Sequence, residues 1–358
     1  MPTLITIGSV SARAYGFGAA RKNVQNIYTT SSFYGTVAKI TPAGVVTIAW
    51  ATVGGSPQGI AIDSSGNVYT ANYGASTVSK ITPAGVVTAT WATVGTAPNG
   101  IAIDSSGNVY TVNYAAGTVS KITPAGVVTI AWATVGANPC AIAIDSSGNV
   151  YTANYTASTV SKITPAGVVT IAWATVGTNP TGIAIDSSGN YIPAPLYTCN
   201  YTFSQVSKTT SAGVVTIAWG IALGYNPNGI AIDSSSNVYT ANGGDNTVSK
   251  ITPAGVVTIA WATVGAGTWP YGIAIDSSGN VYTANAGAST VSKITPAGVV
   301  TATWATVGTY PYGIAIDSSG NVYTANNSAN TVSKITSAGV VTATWATVGN
   351  PPYGIAIY

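Results

Sequence analysis

The chain contains no histidine and no glutamate, and it has little charge of either sign: 11 basic and 8 acidic residues, the latter all aspartate, in 358. Acid–base or metal chemistry that depends on His or Glu therefore cannot be built. A net charge of +3 over this length gives no basic stripe, so no nucleic-acid partner is expected. Charged residues make up 5% and apolar residues 46%, which is the opposite of a disordered composition. Thr, Ser, Gly and Asp interrupt every apolar run, so the stretch of about 20 apolar residues needed for a spanning helix is missing, and no membrane insertion is expected. The two cysteines, Cys140 and Cys199, make neither a disulfide framework nor a metal-ligand spacing. Adjacent repeats could bring them together, but a bridge needs Cα atoms within about 7 Å. Two small apolar side chains are the plainer reading. Residues 1–20 lack a charged segment followed by an apolar one, so no ordinary secretory signal is expected.

What the chain does have is repetition. An Asn-Val/Ile-Tyr marker starts at Asn26, Asn67, Asn108, Asn149, Asn237, Asn280 and Asn321, with a disrupted copy at Asn190. The spacing is 41 residues four times, then 47, 43 and 41. A tryptophan follows in each copy: Trp50, Trp91, Trp132, Trp173, Trp219, Trp261, Trp304 and Trp345. A period of this size signals a propeller, solenoid or array. One unit decides which. Gly59-Ile60-Ala61-Ile62 is a short apolar run, and Asp63-Ser64-Ser65-Gly66 is turn chemistry. Val-Tyr-Thr follows, then a loop at Tyr73, a third strand at Thr77 to Ile81, the turn Thr82-Pro83-Ala84-Gly85, and a fourth strand from Val86 to Val94. No helical periodicity is present. Four short strands per unit describe a propeller blade.

The expected fold is therefore all-β: a single eight-bladed β-propeller of four-stranded antiparallel blades over residues 26–358, preceded by an arm or extra strand and link at 1–25. The last copy, Gly354 to Tyr358, supplies only a first strand, and the copy at Asn26 lacks one. Joining them closes the ring without a free sheet edge. The competing arrangement takes the missing strand from Ala14 to Ala20.

The recurring Gly-Ile-Ala-Ile-Asp-Ser-Ser-Gly-Asn-Val-Tyr-Thr-Ala-Asn, followed by Thr-Val-Ser-Lys-Ile, resembles the NHL and YVTN-type propeller repeats. That resemblance implies the fold but leaves function open, because such propellers include scaffolds, protein, RNA and sugar binders, lactonases and an antibiotic lyase. It also implies tests for catalysis. The lactonase type places a divalent cation in its channel with a Glu among the ligands, and the streptogramin-lyase type uses a histidine. Neither residue type is available, so no enzyme and no cofactor are expected. Residues 1–20 resemble the start of some bacteriophage tail and appendage proteins, which implies self-assembly or virion attachment through that arm.

Two charged series recur. Asp63, Asp104, Asp145, Asp186, Asp233, Asp276 and Asp317 read as turn residues bonded to their own backbone rather than calcium ligands, since each loop offers one carboxylate. Lys39, Lys80, Lys121, Lys162, Lys208, Lys250, Lys293 and Lys334 read as solubilising charges toward the outer rim. The two turn types barely change between copies. The segment entering the first strand and the loop between the second and third strands both vary, and in a propeller they share one face. That face carries surplus aromatics: Trp269, Tyr271, Tyr310, Tyr312, Tyr353, Tyr73, Tyr114, Tyr155 and Tyr201 are the expected ligand contacts. The expected function is non-catalytic recognition or adhesion, holding a glycan or surface protein on an extracellular or virion surface. The alternatives are a structural building block of an appendage or filament, and a disfavoured lyase- or lactonase-like enzyme. The insertion Tyr191 to Pro195 reads as a lateral contact or a tolerated turn.

Overall fold

The computed structural model describes residues 26–357 apart from 146, 186–195, 201–203, 210–214, 221–223, 318 and 349–350. The described residues form four-stranded antiparallel sheets of one pattern. We number as blade 1 the sheet of Pro57–Ile62, Val68–Asn72, Thr77–Ile81 and Val87–Thr93. Blades 2 to 7 begin with the strands Pro98–Ile103, Pro139–Ile144, Pro180–Ile185, Pro227–Ile232, Pro270–Ile275 and Pro311–Ile316. Each consists of four strands consecutive in the chain. Continuous blades thus number seven, not eight. One further sheet is composite: Ile27–Ser31, Thr36–Ile40 and Val46–Thr52 pair with Pro352–Ile357 in the first-strand position. Its register sets Ile27 against Ile357 and Thr29 against Ile355. We call it the closing sheet. The competing strand from Ala14 to Ala20 lies outside the described residues, and its place is filled.

Strand order follows from composition. Second strands such as Val68–Asn72 are buried throughout, as expected for a strand covered on both faces. Fourth strands such as Val87–Thr93 are mostly exposed, with a buried Ala92 and a half-buried Trp91. First strands of neighbouring sheets lie closest together. A Cβ placed on Gly59 would stand 2.5 Å from the Asn99 carbonyl, and one on Gly272 2.6 Å from that of Tyr312. Glycine is required there because backbone meets backbone. The core lies between blades: Tyr69, Ala71, Val78 and Ala92 of blade 1 pack on Ile101, Val109 and Ile122 of blade 2.

A buried polar triad repeats within the blades. In blade 1 the Asn72 amide donates to Thr77 Oγ1 at 3.0 Å and Ser79 Oγ at 2.8 Å, and Thr70 donates to Asn72 Oδ1 at 2.9 Å. Ser79 donates in turn to the Ala89 carbonyl and accepts the Gly54 N–H of the preceding sheet at 3.2 Å. The closing sheet departs from this pattern. Ser31, Thr36 and Ala38 stand at the triad positions, and the buried hydroxyls of Thr30 and Ser31 have no partner among the described residues.

Candidate ligand-binding face

The two ends of the ring are built differently. One end carries the near-invariant turns, and each Asp there is fully engaged. Asp104 accepts the N–H groups of Ser106 and Asn108 through Oδ1, at 2.9 and 2.8 Å. Its Oδ2 accepts the Asn108 amide at 2.8 Å and the Tyr110 hydroxyl at 3.0 Å. The same set recurs at Asp63, Asp145, Asp233, Asp276 and Asp317; Asp186 lies outside the described residues. Burial first, then the adjacent carboxylate, pushes the phenols of Tyr69, Tyr110, Tyr151 and Tyr323 well above the ordinary range. Tyr239 and Tyr282 rise for the same reasons.

Each of these tyrosines meets the tryptophan of its own blade, with ring centroids 5.2 Å apart for Tyr110 and Trp132. The repeated lysine lies over both rings: Lys121 Nζ is 5.6 Å from Tyr110 and 5.2 Å from Trp132. These lysines are therefore cation–π partners as well as surface charges. The indole then reaches the next blade. Trp132 Nε1 stands 3.2 Å from where a Cβ would sit on Gly167, whose φ is +85°. Lys39 Nζ likewise lies 3.5 Å from the Pro83 carbonyl of the following blade. Asp, Tyr, Lys and Trp thus form an interblade clasp. Among the described residues no three His, Cys, Asp or Glu side chains gather to hold a metal.

The opposite end carries the variable segments, and the structure brings them into contact. Tyr73 N–H donates to the Ser56 carbonyl at 3.0 Å, Tyr155 to Asn138 at 3.0 Å, and Ala286 to Trp269 at 3.1 Å. Of the expected contact residues, Trp269 and Tyr310 are 53% and 42% exposed, and Tyr73 is 38% exposed. Tyr114 and Tyr155 are half-buried and flank the buried Cys140, whose thiol lies 3.2 Å from the Pro180 carbonyl. Tyr271 and Tyr312 come together from neighbouring blades, centroids 4.9 Å apart and edge to face. Tyr310 lies 6.3 Å from Tyr312. The backbone of Tyr353 is in the closing sheet, while its side chain, that of Cys199, the whole of Tyr201, the insertion at 191–195 and the arm at 1–25 lie outside the described residues.

Sequence reasoning missed three exposed aromatics on this face: Tyr225 at 71%, Phe33 at 78% and Tyr34 at 59%. Phe33 and Tyr34 sit in the loop between Ile27–Ser31 and Thr36–Ile40, and Tyr225 precedes blade 5. Aligning each variable segment against its counterparts would have found them.

The model of the virginiamycin B lyase family matches residues 6–200, more than half of the chain. The chain belongs to that family. A β-propeller repeat model also matches residues 262–284, within this family member's blades 5 and 6. No curated protein matches. Among solved structures, the virginiamycin B lyase of Staphylococcus aureus is similar at 16% identity and a TM-score of 0.59, covering 84% of this chain and 95% of the other. That enzyme has also been solved as a catalytically inactive histidine-to-alanine variant with quinupristin. AztD of Citrobacter koseri is similar at 10% identity and a TM-score of 0.63, covering 94% and 98%. A 6-phosphogluconolactonase-like protein of Bacteroides uniformis gives 16% and 0.60, covering 94% and 100%. At these identities the likeness is one of fold, and NHL or YVTN kinship gains nothing specific from it.

Proposed function

We propose that this member of the lyase family is a recognition propeller that binds an uncharged ligand on its variable-loop face. The observation that carries the reading is the gathering of exposed aromatic rings on that face, at loops that bear almost no charge. Among the described residues there, Asp245 is the one acidic or basic side chain, and its carboxyl accepts the Tyr225 N–H at 2.8 Å. Aromatic faces with side-chain amides suit neutral, amphipathic ligands, since rings stack and amides orient. On the opposite face the charged groups of the described residues are engaged in the clasps. The shallow crevice lined by Asp104, Tyr110, Lys121 and Pro165 is one such clasp seen from solvent.

Family membership supports a second reading, a lyase acting on a cyclic peptide antibiotic. The Staphylococcus aureus enzyme loses activity when one histidine is changed to alanine, and this chain has no histidine anywhere. Incubating the purified protein with virginiamycin B or quinupristin and following the product by mass spectrometry separates the two. Under the recognition reading the antibiotic stays cyclic. Conversion to the linear form at a rate proportional to protein would establish the lyase reading instead.

A further inference from the structure

Two residues on the variable face occupy a backbone position that suits neither of them. In blades 1 to 7 the residue just before the first-strand proline has a left-handed backbone, and blades 1 to 5 place Ser56, Ala97, Asn138, Asn179 and Asn226 there, with φ between +52° and +56°. Small residues and Asn tolerate that region, whereas a bulky side chain is strained in it. In blades 3 and 4 the residue also does structural duty. The Asn138 amide donates to the Tyr114 carbonyl of the preceding blade at 3.2 Å, and that of Asn179 lies 3.5 Å from the Tyr155 carbonyl. Blades 6 and 7 put Trp269 at φ +45° and Tyr310 at φ +54° in the same position. Folding alone does not call for them, for both rings are about half exposed and neither can make the amide link. In blade 6 that link is made from the other side, by Asn246 Oδ1 accepting the Trp269 N–H at 2.9 Å.

Strain retained by half-exposed side chains clusters at functional positions. The neighbourhood agrees. Among the described residues, six large aromatics are exposed. They fall on five successive sheets, from Tyr225 at the entry to blade 5 through blades 6 and 7 and the closing sheet to Tyr73 of blade 1. Beneath the rim, Tyr271 and Tyr312 carry the ring chain from one blade to the next.

We propose that this arc is a stacking platform for a neutral oligosaccharide, an inference that rests on the variable face being the binding face. Sugar rings present apolar C–H faces to aromatic rings and hydroxyls to amides, and need no charge. An extended peptide would need free main-chain groups, but the loop backbone here is already paired. Gly287 N–H is held by the Thr268 carbonyl at 2.9 Å, and Asn327 N–H by that of Tyr310 at 2.9 Å. Side-chain amides and ring faces are what remains to offer.

The test is a titration of the full chain with soluble neutral gluco-, manno- and N-acetylglucosamine oligosaccharides, followed by tryptophan fluorescence and calorimetry. The double variant Trp269→Asn/Tyr310→Asn installs the residue that blades 3 to 5 use at that φ, so it folds, with a melting temperature equal to or above the parent. At least one oligosaccharide should bind saturably, weaken by about tenfold or more in the double variant, and be unaffected by Tyr155→Ala in blade 3, off the arc. Sugar binding that survives the double variant but is lost in Tyr155→Ala would overturn the arc while leaving the face reading intact. A response to a proline-rich peptide with none to any sugar would overturn the ligand class alone. Silence toward both, in folded protein, would overturn the platform and the face reading together.

Discussion

The two ends of this ring were built from the same duplicated unit, yet they answer to different constraints. At the clasp end, the Asp holds its own turn and Tyr while Tyr, Lys and Trp reach the neighbouring blade, so Asp, Tyr, Lys and Trp recur almost without variation. At the other end, the loops pair with one another through main-chain groups such as Tyr73 N–H to Ser56 O, which leaves the side chains free to diverge. Uniformity reports interlocking and diversity reports its absence. Exposed, strained aromatics need a further cause beyond that freedom.

The comparison can be broken most completely with alkali. The clasp phenols are held neutral by burial and by an adjacent carboxylate, whereas in the unfolded chain they ionise near pH 10. Raised folded-state values mean that stability is intact below about pH 10 and falls as the pH rises toward the folded values. Unfolding monitored by circular dichroism should therefore set in above about pH 10, with tyrosine ionisation appearing together with unfolding rather than before it. Early, non-cooperative ionisation of the phenols would contradict the clasp.

Removing one clasp carboxylate is the next largest change. Asp104→Ala strands two main-chain donors, an amide and a phenol, and should cost about 3 kcal/mol in denaturant unfolding. The lysine is a smaller part: Lys121→Met keeps the packing but loses the cation–π contacts, about 0.5–1 kcal/mol. In the opposite sense, Ser31→Asn with Ala38→Ser rebuilds the missing triad in the closing sheet and should gain about 1 kcal/mol. Smallest of all, Trp269→Asn should leave stability level or raise it by a few tenths of a kcal/mol, as relief of left-handed strain. A substantial loss there would mean that the indole serves folding after all.

Much of this was legible in the sequence, because turns and strands of a repeat are local. Asp-Ser-Ser-Gly-Asn announced a turn closed by its own carboxylate, and the structure has that turn. Strand limits were off by a residue or two, since Pro57 and Gln58 join the first strand although neither has strand composition. The lysines were misjudged in part. Their position on the third strand was readable, but the Trp and Tyr rings beneath them come from two other strands and meet them only across the sheet. The expected contacts at Trp269 and Tyr310 were named for their side chains. What distinguishes them is a dihedral angle shared with Asn138 and Asn179, and nothing in a single sequence displays that. Tyr225, Phe33 and Tyr34 were passed over because they sit in the irregular copies, where alignment to the repeat is poorest.

The clasps also have a direction. Trp50 meets Gly85, Trp91 meets Gly126, and so on to Trp345, which meets Gly44 of the closing sheet. Every junction among the described residues points the same way round, as in a head-to-tail assembly of separate subunits, and such a series either closes or spirals. Circumference is then a property of one joint, not of the whole: the angle at which an indole seats on the next turn sets how many units complete the circle. A change that tilts that seat slightly, repeated at every joint, would accumulate into a gap or an overlap at the closing sheet, the one place where the two halves of a unit come from distant parts of the chain.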